Sequence, residues 1–93
     1  MYVFEIETSD AYSVLGRVLD RSRVAGLQLS AVTAEVTGNG AYAIAVAVDT
    51  TERDLVERLA RQFAGMFGVI AVSVERKAAP RPSESAFVMA ATA

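Results

Sequence analysis

Residues Leu27–Val48 read LQLSAVTAEVTGNGAYAIAVAV, two apolar runs on either side of a glycine-rich turn. The turn contains Asn39-Gly40, and both residues tolerate the positive φ that a type I′ turn requires. This dipeptide between apolar runs is a strong hairpin signal, so we predict a β-hairpin closed by a type I′ turn. Beyond the turn the side chains alternate with the period of a half-buried strand. One face takes Tyr42, Ile44, Val46 and Val48, and the other takes Ala41, Ala43, Ala45 and Ala47.

The segments around this hairpin predict a strand and a helix before it, then a helix and a strand after it. Either Ser9 or Asp10 is a candidate N-cap for the first helix, and Gly26 is its C-terminal stop. Thr51-Glu52-Arg53-Asp54 resembles a capping box for the second helix, and Met66 and Phe67 are expected to cover the open end of the core. The predicted elements are a strand over Tyr2–Thr8, a helix over Ala11–Val24, a helix from Thr50 or Thr51 to Gly65 or Gly68, and a strand over Val69–Arg76.

A β-α-β-β-α-β order with right-handed crossovers predicts an α+β, ferredoxin-like fold. Its four-stranded antiparallel sheet has the order 4-1-3-2, with both helices on one face. We expect Leu29 on the helix side, and Ile70, Val72 and Val74 together on one face of the last strand. The residues on the other face are small. Either alanines are simply tolerated on a solvent-exposed sheet, or their small size allows another layer or the second subunit of a dimer to pack closely against it. The residues predicted there are Val3, Val32, Ala34, Ala43, Ala45 and Ala71.

Composition limits the classes of function. The 93 residues suit one domain, and 53% of them are hydrophobic, with a mean hydropathy of +0.32, so some apolar surface is expected to need a partner. The net charge of −2 and scattered basic residues argue against a nucleic-acid surface. Without Cys or His the chain has no disulfide, thiolate nucleophile, histidine base or usual zinc site. No apolar run suggests a signal peptide or membrane span, so we expect a cytoplasmic protein.

The chain is expected to divide into a globular part, residues 1–76, and a C-terminal tail, residues 77–93. Pro80 and Pro82 cannot donate to a strand ladder, so the first part of the tail is interpreted as a linker. Residues Ala86–Ala93 are apolar again and too short to fold alone. We predict that they dock on a partner chain or on the open sheet face, since Phe87 and its neighbours should not stay solvated together.

The order of these segments resembles an ACT domain, and more narrowly the short form of the acetolactate synthase small (regulatory) subunit. The resemblance covers about Tyr2–Arg76. It rests on the Ser9-Asp10 loop and on the passage from the first helix into the second strand, where Gly26-Leu27-Gln28-Leu29 fits the family pattern. Arg21-Ser22-Arg23-Val24-Ala25-Gly26 ends that helix, and Leu27-Gln28-Leu29-Ser30-Ala31-Val32 begins that strand.

The resemblance implies a non-catalytic regulatory subunit that forms a homodimer and docks on the thiamine-diphosphate large subunit of acetolactate synthase. It implies no cofactor or metal of its own, and neither a nucleic acid nor a membrane as partner. It also implies a small amino acid bound at the dimer interface, where unpaired N–H groups of a helix start suit a carboxylate. The implied effector-binding residues are Ser9, Asp10, Ala11, Tyr12, Ser13, Val14 and Gln28.

Alternatives to this site and function stay open. Many ACT domains have Pro-Gly or Ser-Gly where this chain has Tyr12-Ser13, so Asp10 is equally interpreted as a plain N-cap and Tyr12 as a packing residue. A free-standing amino-acid sensor is the alternative function, and a small enzyme is a third. Glu5 and Glu7 lie two apart on one strand and are interpreted as a solvated face. The fold also hosts RNA-binding, copper-chaperone and acylphosphatase-like proteins, whose aromatic, Cys-x-x-Cys and arginine signals are missing here.

Overall fold

A computed structural model describes residues 1–77 of the chain as six elements in the predicted order. The strands are β1 (Tyr2–Thr8), β2 (Gln28–Val36), β3 (Tyr42–Asp49) and β4 (Val69–Arg76). The helices are α1 (Ala11–Val24) and α2 (Arg53–Ala64). The bounds of β1, α1 and β4 are those that the sequence periodicity predicts.

The four strands form one antiparallel sheet in the order β2-β3-β1-β4, which is the predicted 4-1-3-2 taken from the opposite edge. β1 is central, and Phe4 pairs with Val46 of β3 on one side and with Val74 of β4 on the other. β2 and β4 are the two edges of the sheet. The predicted ferredoxin-like α+β fold is confirmed.

The core lies between one face of this sheet and the two helices. Phe4 and Phe63 are both fully buried and meet edge to face, with ring centroids 5.1 Å apart and an interplanar angle of 72°. Such a contact adds about 0.5–1.5 kcal/mol to the burial of the rings themselves. Because both helices occupy this face, no element of residues 1–77 covers the other side of the sheet, which we call the open face. The core residues are Tyr2, Phe4, Ile6, Val14, Val18, Ile44, Val46, Val48, Val56, Leu59 and Phe63.

The connection between β2 and β3 is a hairpin, but the predicted type I′ turn is wrong. Gly40 has a φ of +82°, whereas Asn39 does not take the positive φ that such a turn requires. The N–H and the hydroxyl of Thr37 both donate to the Ala41 carbonyl, at 2.8 and 3.0 Å. A left-handed glycine just before the closing residue is typical of a longer loop with a G1 bulge. The register therefore depends on Gly40 rather than on the Asn-Gly pair.

An irregularity in β2 changes which face its side chains occupy. The pairing with β3 shifts between Leu29 and Ala31, with Ser30 as the extra residue. Leu29 therefore faces the helix side as predicted, but Val32 and Ala34 also pair with core residues of β3. The prediction that Val32 and Ala34 lie on the open face is wrong, because one extra residue reverses the alternation beyond it.

A second irregularity affects the start of β4. Thr8 of β1 pairs with Val69, whereas its neighbour Glu7 pairs with Ala71, so Ile70 is the extra residue. Ile70 is 59% exposed, and Val69 packs against the core in its place. The prediction that Ile70 shares a face with Val72 and Val74 is therefore wrong.

Three of the four helix ends lie at residues that the sequence predicts. Asp10 caps α1, and Gly26, with a φ of +78°, follows its C-cap. The Leu27 N–H reaches back to the Ser22 carbonyl at 3.0 Å, which is a bond of a Schellman motif. Gly65 is the C-cap of α2, so of the two predicted stops, Gly65 and Gly68, the first is the one observed.

The start of α2 is the exception. Its N-cap is Glu52, whose side chain makes no capping hydrogen bond. The Glu52 N–H instead donates to the hydroxyl of Thr50 at 3.1 Å. The predicted capping box from Thr51 to Asp54 is therefore wrong, because the helix begins one residue later than that motif requires.

Two other predictions concern the ends of the core and of the chain. Met66 packs against the core as expected, but Phe67 is 85% exposed and does not cover it. The predicted docking of Ala86–Ala93, and the linker before it, lie outside the described residues. Neither α1 nor α2 is long and apolar enough to cross a membrane.

Candidate functional site

The loop between β1 and α1, the predicted effector site, is fixed to the loop before β4. The Thr8 hydroxyl donates to the Gly68 carbonyl at 2.6 Å and accepts from the Asp10 N–H at 3.0 Å. The Ser9 N–H donates to the same carbonyl at 3.1 Å. A Cβ on Gly68 would lie 3.3 Å from the Asp10 Cβ, and Gly68 has a φ of +92°. The β1–α1 loop therefore packs directly on the backbone of Gly68, where a side chain would be crowded and strained.

Asp10 acts as the N-cap of α1. Its Oδ1 accepts from the Ser13 N–H at 3.3 Å, and its carbonyl accepts from the Val14 N–H at 3.0 Å. An aspartate at this position also favours the positive end of the helix dipole. One carboxylate oxygen of Asp10 is thus used within the chain, at the position where the family resemblance implies an ammonium-binding group.

The other predicted residues of this loop divide between core and surface. Val14 is fully buried in the core and Ala11 packs beside it, so their side chains are structural. Tyr12 is 92% exposed. Its ring fills no cavity of the described chain, and the interpretation of Tyr12 as a packing residue of one isolated chain is wrong.

Gln28 does not meet the other predicted site residues within one chain. It begins β2 and pairs with Asp49, near the end of the sheet where β1 begins. The β1–α1 loop lies at the other end, where Thr8 pairs with Tyr42 and Tyr42 pairs with Val36. The two parts of the site are therefore a strand length apart, which is about 20 Å at 3.3 Å per residue.

Arg17 is a residue of this region whose role the sequence did not indicate. Its Nε donates to the Ser13 carbonyl at 3.3 Å, and its Nη2 donates to the Phe67 carbonyl at 2.9 Å. It thus connects the first turns of α1 to the loop before β4. The apolar stripe of this helix, formed by Val14, Leu15, Val18 and Leu19, places Arg17 only on the solvent side. The contact with Phe67 could not be predicted, since that residue is 50 positions away along the chain.

An exposed apolar surface runs along β2, which is exposed along its whole length. On the helix side of this edge, Leu29, Val32 and Val36 are 39%, 37% and 70% exposed. Leu29 and Leu19 line one groove between β2 and α1. Tyr12 lies seven residues before Leu19, which places both on the same side of the helix. We refer to Tyr12, Leu19, Leu29, Val32 and Val36 as the β2 flank.

The open face of the sheet has a different character. It shows three rows of side chains across the strands, each row containing an alanine of β3. Within residues 1–77 no group of acidic side chains is placed to hold a metal ion. The rows are Ala31, Ala47, Val3 and Glu75; then Thr33, Ala45, Glu5 and Ser73; then Glu35, Ala43, Glu7 and Ala71.

No protein-family model and no curated protein matches this sequence. Among solved structures, the chain is similar to the C-terminal domain of the MgtC protein from Mycobacterium tuberculosis. The TM-score is 0.70 at 15% identity, over 80% of this chain and 83% of that one. It is also similar to part of a formyltetrahydrofolate deformylase from Pseudomonas putida KT2440, with a TM-score of 0.55 and 13% identity.

The two likenesses differ in extent. The MgtC domain matches over most of its length, whereas the match to the deformylase covers 82% of this chain but only 28% of that one. At identities this low both matches show a shared fold alone. The chain thus shares its fold with a C-terminal domain of one protein and with part of the chain of another.

Proposed function

We propose that this chain is a non-catalytic regulatory subunit with an ACT-like domain, which forms a homodimer through β2 and docks on a larger catalytic chain. The observation that supports the proposal best is the β2 flank. Leu29, Val32 and Val36 are exposed beside a strand edge that no other strand of residues 1–77 pairs with, an arrangement that strand addition from a second copy would cover.

A two-fold axis beside β2 would also complete the effector site. In an isologous pair the two β2 strands run antiparallel, so when they pair along their length the Gln28 end of one lies at the Val36 end of the other. Val36 is at the same end of the sheet as the β1–α1 loop. Gln28 of a second copy would thus lie on the side of the β1–α1 loop, and Gln28 with the exposed loop residues Ser9, Asp10, Tyr12 and Ser13 would form two sites per dimer.

The catalytic partner that we propose is the large subunit of acetolactate synthase. The family resemblance over Tyr2–Arg76 supports this choice, and the fold agrees with it. A regulatory subunit of this kind needs no catalytic side chains of its own. It acts by binding the large subunit and changing its activity.

The test is a pull-down of the tagged full-length chain from its native lysate, followed by an assay with the purified cognate large subunit. Recovery of that subunit in near-equal amounts, with a change in its activity on mixing, is the expected result. No recovery together with unchanged activity would contradict the proposed partner.

A matched pair of variants tests the homodimer separately. Val32 lies on the β2 edge, whereas Ile70 is an exposed apolar residue of β4 at the opposite edge of the sheet. We expect Val32→Glu to lower the dimer fraction in sedimentation experiments over a range of concentrations, while Ile70→Glu leaves it unchanged. Equal behaviour of the two variants would argue against pairing through the β2 flank.

A free-standing amino-acid sensor is the second candidate. It would use the same β1–α1 loop and the same pairing through β2 as the regulatory subunit, but it would need no catalytic partner. A ligand at a hundredfold over its Kd stabilises the folded state by about 2.7 kcal/mol. For a domain of this size that raises the melting temperature by roughly 10 °C or more. Melting curves with each amino acid that show no such shift would exclude this candidate.

A further inference from the structure

The open face of the sheet is left uncovered by residues 1–77, since both helices pack on the other side. On this face β3 presents only Ala43, Ala45 and Ala47, which we call the alanine column. Their small side chains leave space for larger ones from another segment. The row nearest the start of β1 is the apolar one, and it includes Val3, which is only 8% exposed. The remaining rows carry the carboxylates Glu5, Glu7 and Glu35.

We propose that the C-terminal segment of the same chain, residues 78–93, covers this open face. The described chain ends at Lys77, whose N–H donates to the Met1 carbonyl at 2.9 Å. The Lys77 Nζ lies 3.5 Å from Glu75 Oε2. Glu75 belongs to the apolar row of the open face, so the chain leaves the sheet at this row.

The sequence of the segment complements the face that it would cover. Phe87-Val88-Met89 has large apolar side chains, and the alanine column is a flat apolar surface on which such side chains can pack. The segment has two charged residues, Arg81 and Glu84, and Arg81 is the one that can pair with Glu5 and Glu7 on the central strand. An apolar centre surrounded by polar and charged groups is the usual arrangement at an interface.

The distances allow this contact. The nine residues 78–86 span up to about 30 Å when extended, at 3.3–3.6 Å per residue. The sheet is about 14 Å wide across three strand spacings of 4.7–4.9 Å. The apolar part of the segment therefore reaches every column of the open face from Lys77.

A second copy of the sheet is a poorer occupant of the same face. Stacking two open faces would bring Glu5, Glu7, Glu35 and Glu75 of one copy against the same four carboxylates of the other. Like charges brought together on sheet surfaces are destabilising. This assignment goes beyond the proposed regulatory function and does not depend on it.

The test uses paramagnetic relaxation in the full-length chain. The sequence has no cysteine, so Thr92→Cys gives a single site for a nitroxide label. We expect the signals of Ala43, Ala45 and Ala47 to lose most of their intensity, while that of Arg58, on the outer side of α2, keeps its intensity. A loss spread evenly over the domain, or no loss, would overturn the proposal.

Two controls distinguish the source of the effect. In the labelled chain, Phe87→Ser with Met89→Ser should restore the alanine signals, because the apolar contact is removed while the label remains. A mixture of labelled chain with unlabelled, isotope-enriched chain reports contacts between copies. Attenuation only in that mixture would overturn the proposal in favour of docking on a second copy.

Discussion

The hydroxyl of Thr8 donates to the carbonyl of Gly68 across 2.6 Å, joining two loops that are 60 residues apart in the sequence. Thr8 is fully buried, and its oxygen also accepts the N–H of Asp10. Thr8 thus fixes the position of Ser9 and Asp10, the first two predicted effector residues. The sequence indicates Thr8 only as the last residue of a strand and not as part of the site.

Replacement of this hydroxyl should destabilise the fold measurably. Thr8→Val leaves the Asp10 N–H without its partner, whereas Gly68 keeps the bond from Ser9. Loss of a part-buried hydrogen bond of this kind costs about 0.5–1.5 kcal/mol. For a domain of this size each kcal/mol lowers the melting temperature by about 4–8 °C. Calorimetry of Thr8→Val should show that decrease, and Thr33→Val, an exposed threonine of β2, should melt close to the parent chain.

The two phenylalanines near the end of α2 should differ sharply on truncation. Phe63 is fully buried against Phe4, while Phe67 is 85% exposed. Phe63→Ala should cost about 3–5 kcal/mol through lost burial and a cavity, which is a large part of the stability of so small a domain. Urea titrations should show a much lower midpoint for Phe63→Ala and almost no change for Phe67→Ala. Similar midpoints would contradict the packing described for α2.

Two glycines of the first helical region should respond to alanine in opposite directions. Gly26 has a φ of +78°, so Gly26→Ala forces a left-handed residue at a cost of about 1–2 kcal/mol. Gly16 lies within α1 with open space around it, so Gly16→Ala should stabilise the helix by about 0.5–1 kcal/mol. Chemical unfolding of the two variants measures both signs, and a gain in stability for Gly26→Ala would refute the Schellman ending.

The hairpin loop offers a test of turn type. In the observed loop Gly40 needs a positive φ and Asn39 does not. Gly40→Ala should therefore cost about 1–2 kcal/mol, the penalty of a left-handed residue. Asn39→Ala removes the exposed bond that its Oδ1 accepts from the Thr37 hydroxyl at 3.1 Å, so it should cost only about 0.5 kcal/mol by the same measurement of unfolding free energy. A type I′ turn would make both substitutions costly, so the pair of values separates the two geometries.

Local patterns in the sequence were sufficient for the elements and their order. Alternation in Tyr2–Thr8 and the apolar stripe of Ala11–Val24 each give the observed bounds, and the crossover rule then leaves one strand order. Ser30 and Ile70 escape this reasoning. Each is the extra residue of a bulge, and a bulge depends on the partner strand rather than on the periodicity of its own strand.

The candidate site was predictable to a smaller degree. Asp10 was recognisable as a cap because its short acidic side chain precedes an apolar stripe. The role of Arg17 and the exposure of Phe67 were not recognisable, since each depends on a contact between loops far apart in the sequence. The position of Gln28 requires the register of three strands, and no local pattern contains that information.

The bulge at Ile70 has a consequence for how the protein behaves at high concentration. β4 is an edge strand, and a flat, regular edge is a template for the growth of cross-β aggregates. The extra residue bends this edge at one end, and Arg76 and Lys77 place charge at the other. Irregularity and charge are the means by which natural sheets resist such growth. This side of the domain should therefore stay colloidally stable without a covering helix or a second chain.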